Sequence, residues 1–131
     1  MDEFEIIRNH LSKLSKKNES TLNLNDDVFF DKNNKLVVTT DTYLEGVHFI
    51  NFNHPNLIIK KVIRSSISDL ICKGVFPKFI FIAASGNKNS FSKNKIIKLT
   101  NSIKKEQKNI ILYYQVAIQR IRQKFHLQSQ L

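Results

Sequence analysis

Carboxylates in this basic chain are concentrated in one part of the sequence. The chain carries a formal net charge of +10 and has eleven acidic residues, of which none lies between Leu70 and Lys105. Folding that brings carboxylates together is costly unless cations neutralise them. Hard oxygen donors of this kind suit Mg²⁺, which usually completes its shell with phosphate oxygens. The pattern predicts a magnesium and phosphate site built from six acids, which are Asp26, Asp27, Asp31, Asp41, Glu45 and Asp69.

Three of these carboxylates belong to separate predicted elements. Asp27 begins a strand, Asp41 follows the hairpin partner of that strand, and Asp69 lies near the end of a helix. Asp27 and Asp41 could therefore approach each other across the strand pair. Carboxylates so placed can bind one or two Mg²⁺ ions and assist phosphoryl transfer without a covalent nucleophile. Spacing alone leaves an alternative open, in which Asp26, Asp31 and Asp41 are turn and strand-end residues that face water.

The elements that must position these residues follow from hydrophobic periodicity. Apolar residues at helical spacing and short β-rich runs predict the order α, β, β, α, β, α. The predicted elements are an opening helix over residues 2–17, strands over 27–31 and 35–40, a helix from 55 to 74, a strand over 79–84 and a helix over 90–108.

Local signals fix the details of three elements. Asn33-Asn34 between the first two strands tolerates a left-handed backbone and predicts a tight turn. The long helix begins with Asn53 as a capping residue before a first-turn proline and ends at Gly74. The continuous apolar run from Phe79 to Ala84 is typical of a buried strand. Cys72 lies on the apolar side of the long helix, so we expect a buried thiol.

From residue 3 to about residue 111, the chain resembles the N-terminal domain of the thiamine-monophosphate kinases, which belong to the aminoimidazole ribonucleotide synthetase-like superfamily. The resemblance implies an α/β (α+β) fold in which helices pack on one face of a mixed sheet. The matching segments occur in the expected order and are Glu3-Phe4-Glu5-Ile6-Ile7, Asp26-Asp27, Thr39-Thr40-Asp41-Thr42, Glu45-Gly46-Val47-His48-Phe49, Lys60-Lys61, Ser68-Asp69-Leu70 and Gly74.

The resemblance also implies a function. In that family ATP, as co-substrate, phosphorylates thiamine monophosphate to thiamine diphosphate with the help of several Mg²⁺ ions, and the N-terminal domains pair into a homodimer. Carried over to this chain, the expected metal ligands are Asp27, Thr40, Asp41 and Asp69, the residue that contacts the thiamine phosphate is His48, and the supporting residues are Asp26, Thr39 and Thr42.

Two departures from the family pattern lie close to these residues. The chain has Asn23-Leu24-Asn25 where the family usually shows Gly-x-Gly. Asparagine is the non-glycine residue that most readily keeps a positive φ, so we expect the turn to survive. Ser66 stands where an asparagine is common in the family.

The composition leaves a second class of function open. A small basic domain without catalytic activity could bind RNA or another acidic partner by charge. However, the lysines are dispersed, whereas nucleic-acid binders generally present a contiguous basic face and recognisable reading elements. No apolar run approaches the length of a membrane span, and no leader precedes a cleavage site. We therefore expect a cytoplasmic protein with neither a membrane partner nor a nucleic-acid partner.

The last part of the chain departs from the family pattern most strongly. The family carries a Gly-Gly-Asp-Thr motif after the second long helix and then a C-terminal domain, whereas this chain continues from Leu112 to Leu131 without them. The sequence therefore predicts a kinase N-terminal domain over residues 1–111, an aberrant tail over 112–131, and no activity of the chain alone. In the alternative, residues 116–125 form a natural basic helix.

We expect a shifted reading frame to explain the tail. If triplets are read one base earlier, the codons that can encode Tyr114 to Arg120 permit Ser-Gly-Gly-Asp-Thr-Thr. Sequencing of the gene tests this expectation. Codons that cannot spell Gly-Gly-Asp in the shifted frame would end it.

Overall fold

The computed structural model describes residues 2–15, 18–24 and 26–110 and the backbone of 113–118. The chain divides into two compact units. The first unit consists of residues 1–42 and 64–77, and the second consists of residues 43–63 and 78–131. One long helix, α3 (Pro55–Cys72), contributes residues to both units.

The first unit opens with a helical segment, as predicted. It consists of α1 (Glu3–Ile6), a π-helical stretch (Ile7–Leu11) and α2 (Ser12–Ser15). A capping box starts it, because Asp2 Oδ1 accepts from the Glu5 N–H at 2.8 Å and Glu5 Oε2 accepts from the Asp2 N–H at 3.1 Å. A 3₁₀ segment (Glu19–Leu24) follows and packs against α2 and the first strand.

The predicted hairpin is confirmed. Strands β1 (Val28–Asp31) and β2 (Leu36–Thr39) pair antiparallel, with Val28 opposite Thr39. The turn differs in one detail, since the left-handed residue is Lys35, with a φ of 52°, and neither asparagine has a positive φ. Instead the Asp31 carboxylate accepts hydrogen bonds from the Asn33 and Asn34 N–H groups and from the Asn34 side chain, which lower the pKa of Asp31.

Helix α3 begins one residue later than its predicted cap implies. The His54 carbonyl accepts the first helical hydrogen bonds, from the Leu57 and Ile58 N–H groups. His54 is thus the N-cap, and Pro55 takes the first helical position, where a missing N–H costs nothing. The prediction of a first-turn proline is confirmed, whereas the cap is not Asn53.

The end of α3 is a Schellman motif. The Val75 N–H donates to the Leu70 carbonyl at 3.0 Å, and the Gly74 N–H donates to the Ile71 carbonyl at 2.9 Å. Gly74 has a φ of 73°, which a residue without a Cβ adopts at little cost. The predicted end of the helix at Gly74 is therefore confirmed. The last turn of α3, which belongs to the first unit, ends at this glycine.

The second unit contains a β-α-β arrangement. Strand β3 (Phe79–Ala84) pairs parallel with β4 (Tyr113–Ile118) across helix α4 (Lys93–Ile110). Parallel strands require such a crossover. The Ser102 hydroxyl on α4 donates to the Asn56 carbonyl on α3 at 2.8 Å. The buried apolar side chains of this unit, among the described residues, are Pro55, Ile59, Ile63, Leu99 and Ile103.

The α/β class is confirmed, but three predicted details are not. The described strands form two separate two-stranded sheets, one antiparallel and one parallel, instead of one mixed sheet. Strand β3 is not buried, since Phe79 is 58% and Phe81 77% exposed. Along β3, exposed side chains alternate with half-buried ones, so only one face of the strand is partly covered. Cys72 is exposed, because it lies on the solvent side of the last turn of α3.

The predicted tail lies largely outside the described residues, which end at 118. Over 113–118 the backbone is strand β4, which differs from the basic helix considered as the alternative. The reading-frame hypothesis stays a prediction. Among the helices that the structure describes, none has an apolar stretch long enough to cross a membrane.

Candidate functional site

The first unit gathers four of the six clustered carboxylates. Asp26 and Asp27 precede β1, Asp41 follows β2, and Asp69 lies in the penultimate turn of α3. Because Val28 pairs with Thr39, the residues just before β1 and just after β2 lie at the same end of the hairpin. The pKa of Asp69 is raised, first by burial and then by the negative charges of Asp41 and Asp27. Asp69 is therefore within electrostatic reach of both Asp41 and Asp27.

A lysine neutralises part of this charge. Lys73 Nζ lies 2.7 Å from Asp26 Oδ2 and 3.7 Å from Asp27 Oδ1. The hydrogen bond with Lys73 is the main reason that the pKa of Asp26 is lowered, and it raises the pKa of Lys73. The Asp27 side chain and, to a smaller extent, the Val28 N–H lower the Asp26 pKa further. In the part of the chain that the structure describes, the buried Oδ1 of Asp26 nevertheless has no hydrogen-bond partner of normal geometry.

Hydroxyl groups hold two of the carboxylate-bearing segments. The Ser66 hydroxyl on α3 donates to Asp41 Oδ2 at 2.6 Å. The Thr39 hydroxyl donates to the Asp27 carbonyl at 3.2 Å, which ties the start of β1 to the end of β2. Thr39 thus supports Asp27 through the backbone. Thr40 and Thr42 are exposed, and their proposed roles stay predictions.

The donor set of this carboxylate cluster fits a hard divalent cation in its chemistry. It offers carboxylate oxygens, one of which, Oδ1 of Asp26, is buried and has no hydrogen-bond partner among the described residues, and a cation would relieve the repulsion that acts on Asp69. Within the described ranges, however, no three His, Cys, Asp or Glu side chains converge on one point as metal ligands. Asp26 and Asp27 face Lys73 instead, and Asp41 is hydrogen-bonded to Ser66. The assignment of metal ligands therefore stays a prediction.

His48 lies in a structured loop of the second unit, residues 43–52, which we call the histidine loop. The Leu44 N–H donates to His48 Nδ1 at 2.9 Å, and Lys61 Nζ donates to the His48 carbonyl at 2.7 Å. The Tyr43 ring packs edge-on against the imidazole at a centroid distance of 5.5 Å. The Glu45 carboxylate accepts from the Phe52 N–H at 3.0 Å and ties the far side of the loop.

This hydrogen bonding fixes the tautomer of His48. A ring nitrogen that accepts a hydrogen bond from a backbone N–H carries no proton, so the proton of the neutral ring is on Nε2. His48 therefore presents an N–H donor on the side away from Leu44. Such a donor suits an anionic oxygen, as in a phosphate ester.

A left-handed backbone occurs in the segment that stands where the family usually shows Gly-x-Gly. The residues with positive φ are Leu22, at 50°, and Leu24, at 57°. The conformation of Asn23 and the whole of Asn25 lie outside what the structure describes, so the expectation that the asparagines keep the turn stays a prediction.

Sequence reasoning missed one charged residue of the cluster. Lys73 stands four residues after Asp69, a spacing that places both on one side of a helix end. That spacing was the only available signal. It does not specify the partners, because Asp26 is 47 residues away in the chain.

Comparison with known proteins places this site in a family. Residues 24–114 match the family of AIR synthase related proteins, N-terminal domain. The chain belongs to this family. The matched range includes Asp26, Asp27, Asp41, His48 and Asp69, so the cluster and the histidine loop both lie in the family domain.

Three similar proteins carry the name thiamine-monophosphate kinase. The protein of Buchnera aphidicola subsp. Schizaphis graminum is 32% identical, over 79% of this chain and 35% of its own length. That of Buchnera aphidicola subsp. Acyrthosiphon pisum is 35% identical over 59% of this chain and 25% of its length. That of Haemophilus influenzae is 31% identical over 63% of this chain and 26% of its own length. The chain thus spans about a third or less of these relatives. No solved structure matches it significantly.

Asp69→Asn should stabilise the protein at neutral pH, by about 0.3–1 kcal/mol, the size of exposed charge interactions. The folded state raises the pKa of Asp69, so it binds the proton more tightly than the unfolded chain does. The penalty from Asp69 is therefore present above its folded pKa and disappears as the pH falls through that value. Urea unfolding of both proteins between pH 7 and pH 4 measures the difference.

Asp31→Asn provides a control of opposite sign. Hydrogen bonds lower the pKa of Asp31, so its stabilisation is present at neutral pH and is lost as the pH falls through the folded pKa. This variant should be less stable than wild type at pH 7. A stability difference between wild type and Asp69→Asn that does not change with pH would contradict the repulsion described above.

The His48 tautomer can be tested by NMR. The ring ¹⁵N shifts at neutral pH should show the proton on Nε2. His48→Asn should keep an acceptor for the Leu44 N–H, because its Oδ1 replaces Nδ1, whereas His48→Gln should lose it. Hydrogen exchange of the Leu44 amide should then accelerate about fivefold in His48→Gln, for a hydrogen bond worth about 1 kcal/mol. Equal exchange in both variants would exclude this anchoring.

Proposed function

We propose that this chain provides the metal-binding and nucleotide-binding part of an enzyme that phosphorylates thiamine monophosphate to thiamine diphosphate with ATP. Family membership and the names of the three relatives support the reaction. The observation that carries the proposal for this chain is that Asp69 lies within electrostatic reach of Asp41 and of Asp27, which come from opposite strands of the hairpin. A basic chain gains nothing in stability from such repulsion, so a cationic ligand is the physical reason to keep it.

In this proposal the cluster holds Mg²⁺ through Asp27, Asp41 and Asp69, with Thr40 as a further oxygen donor. Bound Mg²⁺ would neutralise charge on the nucleotide phosphates and on the phosphoryl group that is transferred. The chain itself positions the donors. Ser66 orients the Asp41 carboxylate, and Thr39 holds the backbone at Asp27.

His48 would bind the acceptor substrate. Its Nε2–H can donate to a phosphate oxygen of thiamine monophosphate, and the Leu44 N–H and Lys61 restrain the ring and its backbone. A restrained donor loses little entropy when it binds an anion. The proposal also includes pairing of two copies through this domain, as the family resemblance implies.

Calorimetric titration of the purified chain with ATP and ADP in the presence of Mg²⁺ tests the proposal. We expect weak binding that requires Mg²⁺. Asp41→Ala and Asp69→Ala should each weaken it by roughly 10- to 100-fold, since each removes a metal ligand. Glu19→Ala, which removes an exposed carboxylate from the 3₁₀ segment, is the matched control and should bind as wild type.

Circular dichroism of each variant establishes that the fold is retained. Nucleotide binding that is the same in Asp41→Ala, Asp69→Ala and Glu19→Ala would refute the proposed site. Salt-sensitive RNA binding that none of these substitutions changes would instead support a basic domain that binds acidic partners by charge.

A further inference from the structure

Lys73 occupies the C-cap of α3, directly before the left-handed Gly74. A cation at a helix C-terminus is favourable without any further partner, because it faces the negative end of the helix dipole. The Lys73 side chain nevertheless reaches the segment before β1. Its Nζ lies 2.7 Å from Asp26 Oδ2 and 3.7 Å from Asp27 Oδ1, so one ammonium group contacts both neighbouring carboxylates.

This contact determines which way the two carboxylates are directed. Asp26 Oδ2 is hydrogen-bonded to Lys73, while the buried Oδ1 has no partner among the described residues. Asp27 Oδ1 also lies beside the ammonium group. A divalent ion near these oxygens would meet a fixed positive charge, and two cations that share carboxylates repel each other.

We propose that Lys73 is the internal counter-ion of the carboxylate cluster. It holds Asp26 and Asp27 in an arrangement without metal and competes with the divalent ion for their oxygens. The inference rests on the proposed metal-binding function and adds to it a residue that sets metal affinity. It also gives a physical reason why Asp26 and Asp27 are directed toward Lys73.

A purely structural role for Lys73 gives different expectations. An exposed ion pair contributes little to stability, and its loss leaves the affinity for a metal unchanged if the metal does not share the carboxylates. Competition predicts instead that removal of the ammonium group strengthens metal binding. Metal affinity, measured separately from catalysis, therefore distinguishes the two roles.

Mn²⁺ is the probe, because it accepts the same oxygen ligands as Mg²⁺ and its free concentration can be measured by electron paramagnetic resonance. Lys73→Met removes the charge and keeps most of the side-chain length, and Lys73→Arg keeps the charge. Lys88→Met is the matched control, since Lys88 is an exposed lysine of the second unit. The full chain is used throughout, in low-salt buffer and again at high salt.

Lys73→Met should bind Mn²⁺ about twofold to fivefold more tightly than wild type, the range expected for one partly exposed ion pair. Lys73→Arg and Lys88→Met should bind as wild type does. The gain should shrink at high salt, which screens charge. Mn²⁺ should also raise the thermal unfolding midpoint of Lys73→Met more than that of wild type, which provides a second measurement if the variant is less stable.

The possible failures are distinguishable. If wild type and Lys73→Met bind Mn²⁺ with equal affinity, the competition is refuted and the metal site is not. If Lys88→Met gains affinity as much as Lys73→Met, the effect is one of net charge and the specific role of Lys73 is refuted. If no variant binds Mn²⁺, the metal-binding function fails and the inference about Lys73 fails with it.

Discussion

Repulsion among carboxylates is the constraint on which the first unit depends. Asp27, Asp41 and Asp69 come from the start of one strand, the end of its partner and the end of a helix. Burial, and then the negative charges of Asp41 and Asp27, raise the pKa of Asp69. Lys73 offsets part of this charge through Asp26 and Asp27, and Ser66 gives Asp41 a hydrogen bond. These contacts neutralise part of the negative charge of the cluster.

Helix α3 positions three of the residues that determine the charge of this cluster. Ser66 and Asp69 lie on its last two turns and Lys73 at its C-cap, at spacings of three and four residues that place them on neighbouring positions of the helix surface. The Schellman motif at Gly74 ends the helix directly after Lys73. The position of one glycine therefore fixes the place at which the lysine leaves the helix and turns toward the hairpin.

The histidine loop holds one hydrogen-bond donor, the Nε2–H of His48, in a fixed orientation. The backbone N–H of Leu44 donates to Nδ1 of His48, and Lys61 donates to the His48 carbonyl, so Nε2 is the ring nitrogen that has no partner among the described residues. In a chain that spans about a third or less of its kinase relatives, both the cluster and this loop belong to the family domain. In the proposed function, the cluster would supply oxygen donors for a cation, and the loop would supply a hydrogen-bond donor for an anion.

The sequence by itself determined the local features, namely the hairpin, the proline at the start of α3, the glycine at its end and the segments that identify the family. Each depends on residues close together in the chain, where periodicity and backbone preference suffice. Only the tertiary structure decided that Lys73 meets Asp26 and that Ser66 meets Asp41, across 47 and 25 residues. It also decided that β3 is exposed on one face. Such contacts and exposures depend on how elements pack, because the same apolar run forms a strand whether or not another layer covers it.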